Sequence, residues 1–175
     1  MMKRRLLELM FVLLVCSCSL AVAQSTPSDV VRKALSYDQL HDTVFNRENI
    51  DLRRKWMTHS LYRLFATELI REEREAKERP EDKPYFGDWA GFSAPSELCK
   101  VGEVIYPLRF SLSKTRFVGG LAYVRARFFY HFDCDHGQHR FYTFILRKVR
   151  STWRIDNIDY GSNSTLRRVL RRKDS

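Results

Sequence analysis

The spacing of apolar residues predicts two helices in the first half of the chain. Ser28 is a candidate N-cap for a first helix over residues 28–40. A second, longer helix is predicted from the cap Asn49 to Pro80, which ends it. Its apolar positions recur at three and four residues: Leu52, Trp56, Met57, Leu61, Leu64, Phe65, Leu69 and Ile70. Residues 71–79 alternate in charge, which indicates a solvated helix face.

From residue 101 the apolar period changes to two, which predicts four antiparallel strands. They cover residues 103–113, 121–132, 140–149 and 153–160. Ahead of them, the aromatic-rich segment 81–100 is expected to fold back on the core. Two helices followed by a four-stranded meander predict an α+β domain, with both helices packed on one face of the sheet.

The N-terminus has the pattern of an export signal. A cluster of cations precedes an apolar run, and Ala21-Val22-Ala23 before Gln24 is the motif that signal peptidase reads. The alternatives are a lipoprotein anchored at Cys18, because small Ser17 precedes it, and a retained membrane anchor. We therefore expect an exported protein, periplasmic or secreted. The predicted organisation is a signal peptide over 1–23, a leader over 24–27, one domain over 28–170 and a basic tail over 171–175.

Composition excludes several classes of protein. The chain has 175 residues, of which 44% are hydrophobic, which is too apolar for a disordered chain. It is too short for two ordinary domains with full cores. Only the N-terminal run is apolar enough to meet a membrane, so a polytopic membrane protein is excluded.

The net charge of +10 favours an anionic binding partner. A candidate anion- or partner-binding cluster lies near the C-terminus: Arg167, Arg168, Arg171, Arg172 and Lys173. A second concentration lies on the predicted strands: Arg116, Arg125, Arg127, Arg140, Arg147, Lys148, Arg150 and Arg154. For an exported protein we expect an anionic membrane surface, an envelope polymer or an acidic protein as partner, and no nucleic acid. A solvated basic surface without a dedicated partner is the alternative.

The cysteines of the predicted domain suggest a disulfide between Cys99 and Cys134. If residues 114–119 form the loop between the first two strands, the numbers of any two residues that face each other across these strands add up to 233. The numbers of Cys99 and Cys134 also add up to 233, so the two cysteines would lie opposite each other. A turn centred on Gly119-Gly120 would shift this register by several residues, and a bulge would shift it by one. Two buried thiols without a bond are the alternative.

Four segments of the C-terminal half carry a family resemblance. They are residues 120–124 (GLAYV), 144–148 (FILRK), 153–160 (WRIDNIDY) and 166–170 (LRRVL). In this order they resemble a bacterial secreted family of unknown function. Its members are similar to the cone-shaped, cystatin-like α+β fold of nuclear transport factor 2. The resemblance implies a cone-like sheet covered by helices, and it carries over no catalytic residues.

Two chemical alternatives remain open. Relatives with the cone fold transfer protons in a pocket between sheet and helices, for which the available residues here are Tyr85, Asp88, Asp156, Asp159 and Tyr160. Six potential metal ligands crowd one predicted turn: His131, Asp133, Cys134, Asp135, His136 and His139. Their spacing matches no closed zinc motif, and a polar turn explains them more simply. We expect no catalytic residues, no cofactor and no metal.

The sequence therefore predicts an exported binding or interaction module of the cell envelope with a basic face. The alternative is an enzyme or small-ligand carrier that uses a pocket between helices and sheet. An inhibitor or immunity-type protein that binds one target through its basic face is a third possibility.

Overall fold

The first two helices begin earlier than the sequence predicts, and the helices are more numerous. The computed structural model describes residues 25–41, 43–82, 86, 91–92, 99–101, 104–106, 109–129 and 139–171. The N-terminal helices are α1 (Pro27–Leu40), α2 (Arg47–Arg53) and α3 (His59–Glu78), with a 3-10 turn at Arg54–Trp56. Thr26, and not Ser28, caps α1 and forms a reciprocal capping box with Asp29. No helix in the described ranges is long and apolar enough to cross a membrane.

The single long helix predicted from Asn49 to Pro80 is wrong, because the chain breaks at residues 54–58. The Asn46 side chain caps α2, and Thr58 begins a new helix by accepting a hydrogen bond from the N–H of Leu61. Between them, Met57 forms a parallel bridge with Ile155 of the sheet. The N–H of Thr58 donates to the carbonyl of Ile155 at 2.9 Å. A sheet contact therefore replaces the helical hydrogen bonds that the apolar spacing predicts.

The sheet confirms the α+β class but not the predicted number of strands. The strands are β1 (Cys99–Val101), β2 (Val104–Tyr106), β3 (Arg109–Leu112), β4 (Arg116–Val118), β5 (Leu121–Phe129), β6 (His139–Val149), β7 (Thr152–Gly161) and β8 (Ser164–Thr165). Six of them form one antiparallel sheet in the order β3-β5-β6-β7-β8, with β4 also paired to β5. β1 and β2 form a separate two-stranded sheet. A short helix, α4 (Leu166–Val169), follows β8.

The predicted first strand is divided. Residues 104–106 pair with β1, whereas β3 and β4 lie along the same edge of β5. One extra residue at 113–115 forms a bulge, where the N–H of Ser113 donates to the carbonyl of Arg125 at 2.9 Å. Half of the predicted loop over 114–119, namely residues 116–118, is therefore strand.

The turn between β4 and β5 contains only Gly119 and Gly120, both with positive φ. Two-residue hairpin turns need this left-handed backbone, which glycine adopts without steric penalty. The numbers of residues that face each other add up to 238 where β3 pairs with β5 and to 239 where β4 pairs with β5, and not to 233. Cys99 instead lies opposite Tyr106 in β1–β2, and Cys134 lies outside the described residues. The register that supported a Cys99–Cys134 bond is wrong, and the bond stays a prediction.

One face of the sheet is buried in the core. Helix α1 packs against β5 and β7, and α3 packs against β7. The alternate residues of β5 to β7 that face these helices are at most 5% exposed: Ala122, Val124, Ala126, Phe128, Tyr142, Phe144, Leu146, Ile155 and Ile158. The core-facing side of these strands is therefore apolar, and the other residues of these strands form the opposite, outer face.

Candidate functional site

The outer face of the sheet carries five of the eight cations that the sequence concentrates on the strands. By register, Arg140 and Lys148 lie on the core-facing side, and Arg150 lies in the turn between β6 and β7. The cross-strand register places six arginines there, and we call this set the basic face: Arg109, Arg116, Arg125, Arg127, Arg147 and Arg154. Among the described strand residues the same face carries one acid, Asp159, opposite Thr143. The surface is therefore strongly positive.

Aromatic rings alternate with these arginines. The guanidinium of Arg125 lies 4.2 Å from the ring centroid of Phe141, and that of Arg127 lies 4.8 Å from the centroid of Phe129. Arg116 lies 5.2 Å from the ring of Tyr123. Cation–π contacts of this kind hold a guanidinium in place but do not neutralise it. These three arginines of the basic face are thus held in position by rings that leave their charge in place.

Two stretches of the sequence without acidic residues explain why the arginines of the basic face have few carboxylates near them. Residues 104–132 and 136–155 contain no Asp or Glu. Within the described ranges, none of the six arginines of the basic face has a carboxylate within salt-bridge distance. Arg147 and Arg154 even lie directly opposite each other on adjacent strands, where like charges repel. A bound anion would relieve this repulsion.

Apolar side chains are exposed where two hairpin turns meet at one end of the sheet. We call this end, with residues 114–121 and 147–153, the hairpin end. Phe117 is 61% exposed, Val118 50% and Val149 42%. The cations of the hairpin end are also exposed: Lys114, Arg116, Arg147, Lys148 and Arg150. Apolar and cationic groups therefore project from the same end of the sheet.

The C-terminal cluster, which the sequence offers as an anion- or partner-binding site, is partly engaged in contacts within the protein. The guanidinium of Arg167 donates to the Asp156 carboxylate at 2.7 Å, to the Asp156 carbonyl at 2.6 Å and to Ser60 at 2.6 Å. Arg168 donates to the carbonyl of Asn163. Arg171 is exposed, whereas Arg172 and Lys173 lie outside the described residues. Arg167 thus joins α4, β7 and the first turn of α3.

The residues considered for proton transfer do not form one site in the described ranges. Asp156 accepts hydrogen bonds from Thr58 and Arg167, and Asp159 accepts one from the N–H of Gly161. The ring of Tyr160 packs edge-on against Tyr142. Tyr85 and Asp88 lie outside the described residues.

The candidate metal ligands can be located only in part. His139 is exposed on β6, where its ring packs edge-on against Phe129. The other five lie outside the described residues: His131, Asp133, Cys134, Asp135 and His136. Where the structure describes the chain, no group of three or more His, Cys, Asp or Glu could hold a metal ion.

Sequence reasoning missed three buried carboxylates. Asp38, Glu68 and Glu72 are at most 7% exposed, and each lies on the core-facing side of its helix. Glu72 accepts a hydrogen bond from the N–H of Phe86 at 2.7 Å, and Glu68 pairs with Arg71. Their spacing in the sequence could have predicted this burial, because each carboxylate lies three or four residues from a buried apolar side chain and so shares its face of the helix. Glu72 and Asp38 connect the helices to the aromatic-rich segment, through the N–H groups of Phe86 and Phe92.

The structure thus defines an α+β protein with a largely apolar core and, among its described residues, an arginine-rich outer face of the sheet. Comparison with known protein families, with characterised proteins and with solved structures found no match for this chain.

Proposed function

We propose that this protein is an exported binding module of the cell envelope that docks on an anionic membrane surface. The hairpin end makes the first contact, and the basic face supplies the attraction. The observation that carries the proposal is the exposure of Phe117 and Val118 beside cations, within an acid-free stretch of sequence.

Membrane docking needs both kinds of group that the hairpin end combines. A Lys or Arg close to an anionic membrane contributes about 1 kcal/mol of attraction. Exposed aromatic and aliphatic side chains add the burial of their apolar area at the headgroup boundary. A polar envelope polymer would use the cations but would bury little of the exposed Val118 and Val149, or of Phe117, whose ring lies 5.7 Å from that of Trp153. This combination favours a membrane over an envelope polymer, and the vesicle experiment below tests the membrane directly.

The apolar inward side chains of the sheet favour a binding module over an enzyme with a polar internal pocket. The inward residues of β5 to β7 are apolar and buried. Helices packed against one face of an antiparallel sheet also support the proposed resemblance to the cone-like fold of nuclear transport factor 2. In this proposal the protein acts through its outer surface.

Export is tested by the N-terminus of the mature protein. Mass spectrometry of the exported protein should find Gln24 as the first residue, because Ala21-Val22-Ala23 precedes it. A diacylated N-terminus at Cys18 would show that the exported protein is a membrane-anchored lipoprotein and not a diffusible protein. An intact Met1 would contradict export by either route.

Docking is tested by sedimentation of the processed protein with lipid vesicles. We expect binding to vesicles that contain phosphatidylglycerol and little binding to phosphatidylcholine alone. Added salt should weaken the binding, because it screens exposed charges. Phe117→Ser should reduce the affinity roughly tenfold or more, because it removes an inserting side chain.

Ile70→Ser is the matched control for Phe117→Ser. Ile70 is 60% exposed, but it lies on α3, away from the hairpin end. Equal losses in the two variants would contradict the proposal. A different result would assign the surface to an envelope polymer instead. In that case the protein would bind a soluble poly(glycerol phosphate) equally well with and without Phe117→Ser, and it would not bind vesicles.

A further inference from the structure

A shallow cleft lies beside β7, between this strand and the 3-10 turn. It has a volume of about 440 Å³ and is lined by Asp51, Arg54, Lys55, Met57, His59 and Arg154. The parallel bridge between Met57 and Ile155 aligns the turn with the strand and brings Arg54 and Lys55 towards Arg154. Buried Met57 lies between these cations, and His59 begins α3.

Two cations of the cleft, Arg54 and Lys55, contact aromatic rings. Arg54 lies 4.8 Å from the ring centroid of Tyr62, and Lys55 lies 4.3 Å from that of Trp56. Within the described ranges, neither these two nor Arg154 has a carboxylate within salt-bridge distance.

The one acid in the cleft does not balance these charges. Asp51 accepts a hydrogen bond from the hydroxyl of Tyr62 at 2.6 Å. The charge of Arg147, which lies opposite Arg154 on β6, adds to the positive potential at the β7 side of the cleft. Three cations and a histidine thus surround a concave surface with one carboxylate between them.

We propose that this cleft binds a phosphate group, as inorganic phosphate, as a soluble phosphomonoester or as the headgroup of a phospholipid. A phosphate carries up to two negative charges and several acceptor oxygens, which point in different directions. It can therefore meet donors from the 3-10 turn and from β7 at once. The guanidinium groups of Arg54 and Arg154 can each offer two parallel N–H donors to it. A planar carboxylate would satisfy one such arginine and leave the others without a partner.

The cleft lies next to the hairpin end, because Arg154 follows Trp153 and the turn at 150–151. A lipid phosphate held in the cleft would therefore lie close to the level at which Phe117 meets the membrane. A lipid as the source of the phosphate rests on the proposed function, whereas binding of soluble phosphate does not.

Titration with inorganic phosphate at constant ionic strength, followed by NMR chemical shifts, tests the site directly. We expect shifts centred on residues 54–59 and 154. Arg54→Gln and Arg154→Gln should each weaken phosphate binding roughly tenfold, because each removes a charge-assisted pair of hydrogen bonds. Both side chains reach solvent, so the variants should fold, and circular dichroism checks this.

Lys77→Gln is the control, because it removes one exposed cation from the far end of α3. An equal loss of affinity in Lys77→Gln, or unchanged affinity in both arginine variants, would overturn the inference. The source of the phosphate is tested with vesicles that contain phosphatidic acid. Vesicle binding that needs Phe117 but not Arg54 would leave the proposed function standing without this site. Phosphate binding that needs Arg54, without any vesicle binding, would support the site and contradict the membrane.

Discussion

The guanidinium of Arg53 is fully buried and donates to the carboxylate of Asp38 at 2.7 Å. Arg53 also donates to the carbonyl of Asn49 at 3.0 Å. The second carboxylate oxygen of Asp38 accepts a hydrogen bond from the N–H of Phe92 at 2.6 Å. One buried ion pair therefore joins α1, α2 and the aromatic-rich segment.

Removal of one partner from this pair should be severely destabilising. Arg53→Met leaves the Asp38 carboxylate buried without its cation, and we expect a loss of about 3–5 kcal/mol in the free energy of unfolding. The double variant Arg53→Met with Asp38→Leu should lose less than the sum of the single variants. Urea denaturation measures all three. A loss below about 1 kcal/mol for Arg53→Met would mean that water reaches the site.

The same carboxylate restricts Gly91. A Cβ at position 91 would lie 2.8 Å from Oδ2 of Asp38, which two hydrogen bonds to that side chain hold in place. Gly91→Ala should therefore destabilise the fold by about 1–3 kcal/mol through overpacking. In an Asp38→Ala background the same change should cost much less, because the clashing atoms are gone. An equal cost in both backgrounds would place the strain elsewhere.

Arg167 and Arg168 are adjacent cations with different surroundings. Arg167→Ala should lower the free energy of unfolding by about 1.5–3 kcal/mol, because it removes charge-assisted hydrogen bonds to Asp156. Arg168→Ala removes a single exposed contact to Asn163 and should change stability by about 0.5 kcal/mol or less. Thermal unfolding of both variants makes the comparison. Equal effects would show that Arg167 is no more structural than its neighbour.

The capping box at the start of α1 predicts a pH-dependent stability. The hydroxyl and the backbone N–H of Thr26 both donate to Asp29, and these hydrogen bonds lower the pKa of the Asp29 carboxyl. Because the pKa is lower in the folded state, the stabilisation is present above the unfolded-state pKa. It is lost as the pH falls through the folded-state pKa. Asp29→Asn should therefore destabilise the protein at neutral pH and leave its stability unchanged in strong acid.

Thr26→Ala tests the other half of the capping box. It should lower the free energy of unfolding by about 1 kcal/mol at neutral pH, because the N–H of Asp29 loses its acceptor. Urea denaturation at neutral and at acid pH measures both variants. A difference between Asp29→Asn and the unmodified protein that persists in strong acid would contradict the capping role.

The bond between Cys99 and Cys134 is tested by peptide mapping of the exported protein without reduction. We expect one cross-linked peptide pair, because an even pair of cysteines in an exported domain is typical of a disulfide. The observed strand register no longer supports it, so this prediction rests on the export of the protein. Two thiols that react with an alkylating reagent before reduction would contradict it.

Local patterns determined much of the secondary structure. The alternation of apolar residues predicted β5, β6 and β7 to within three residues at their described ends, because residues on one face of a strand share one environment. The helical spacing after residue 59 predicted α3 for the same reason. The sequence also showed where cations concentrate, because composition is visible without a fold.

Tertiary contacts decided the rest. The break at residues 54–58 follows from a hydrogen bond to Ile155, almost a hundred positions away, which no local pattern contains. The burial of Arg53 and the pairing of Arg167 likewise depend on partners from other elements. From the sequence alone, an arginine on a predicted helix is expected to be exposed to solvent. Only the fold shows that a carboxylate from another element lies beside it.

The basic face and the cleft also needed the fold. The sequence places the arginines on strands, but only the pairing register puts six of them on one face. The cleft joins residues 51–59 to Arg154, which meet because the chain after α2 runs along the edge of β7. The sequence by itself determined the charges and the local elements, since both depend on neighbouring residues. Only the tertiary structure decided which charges meet, since that depends on how distant segments pack.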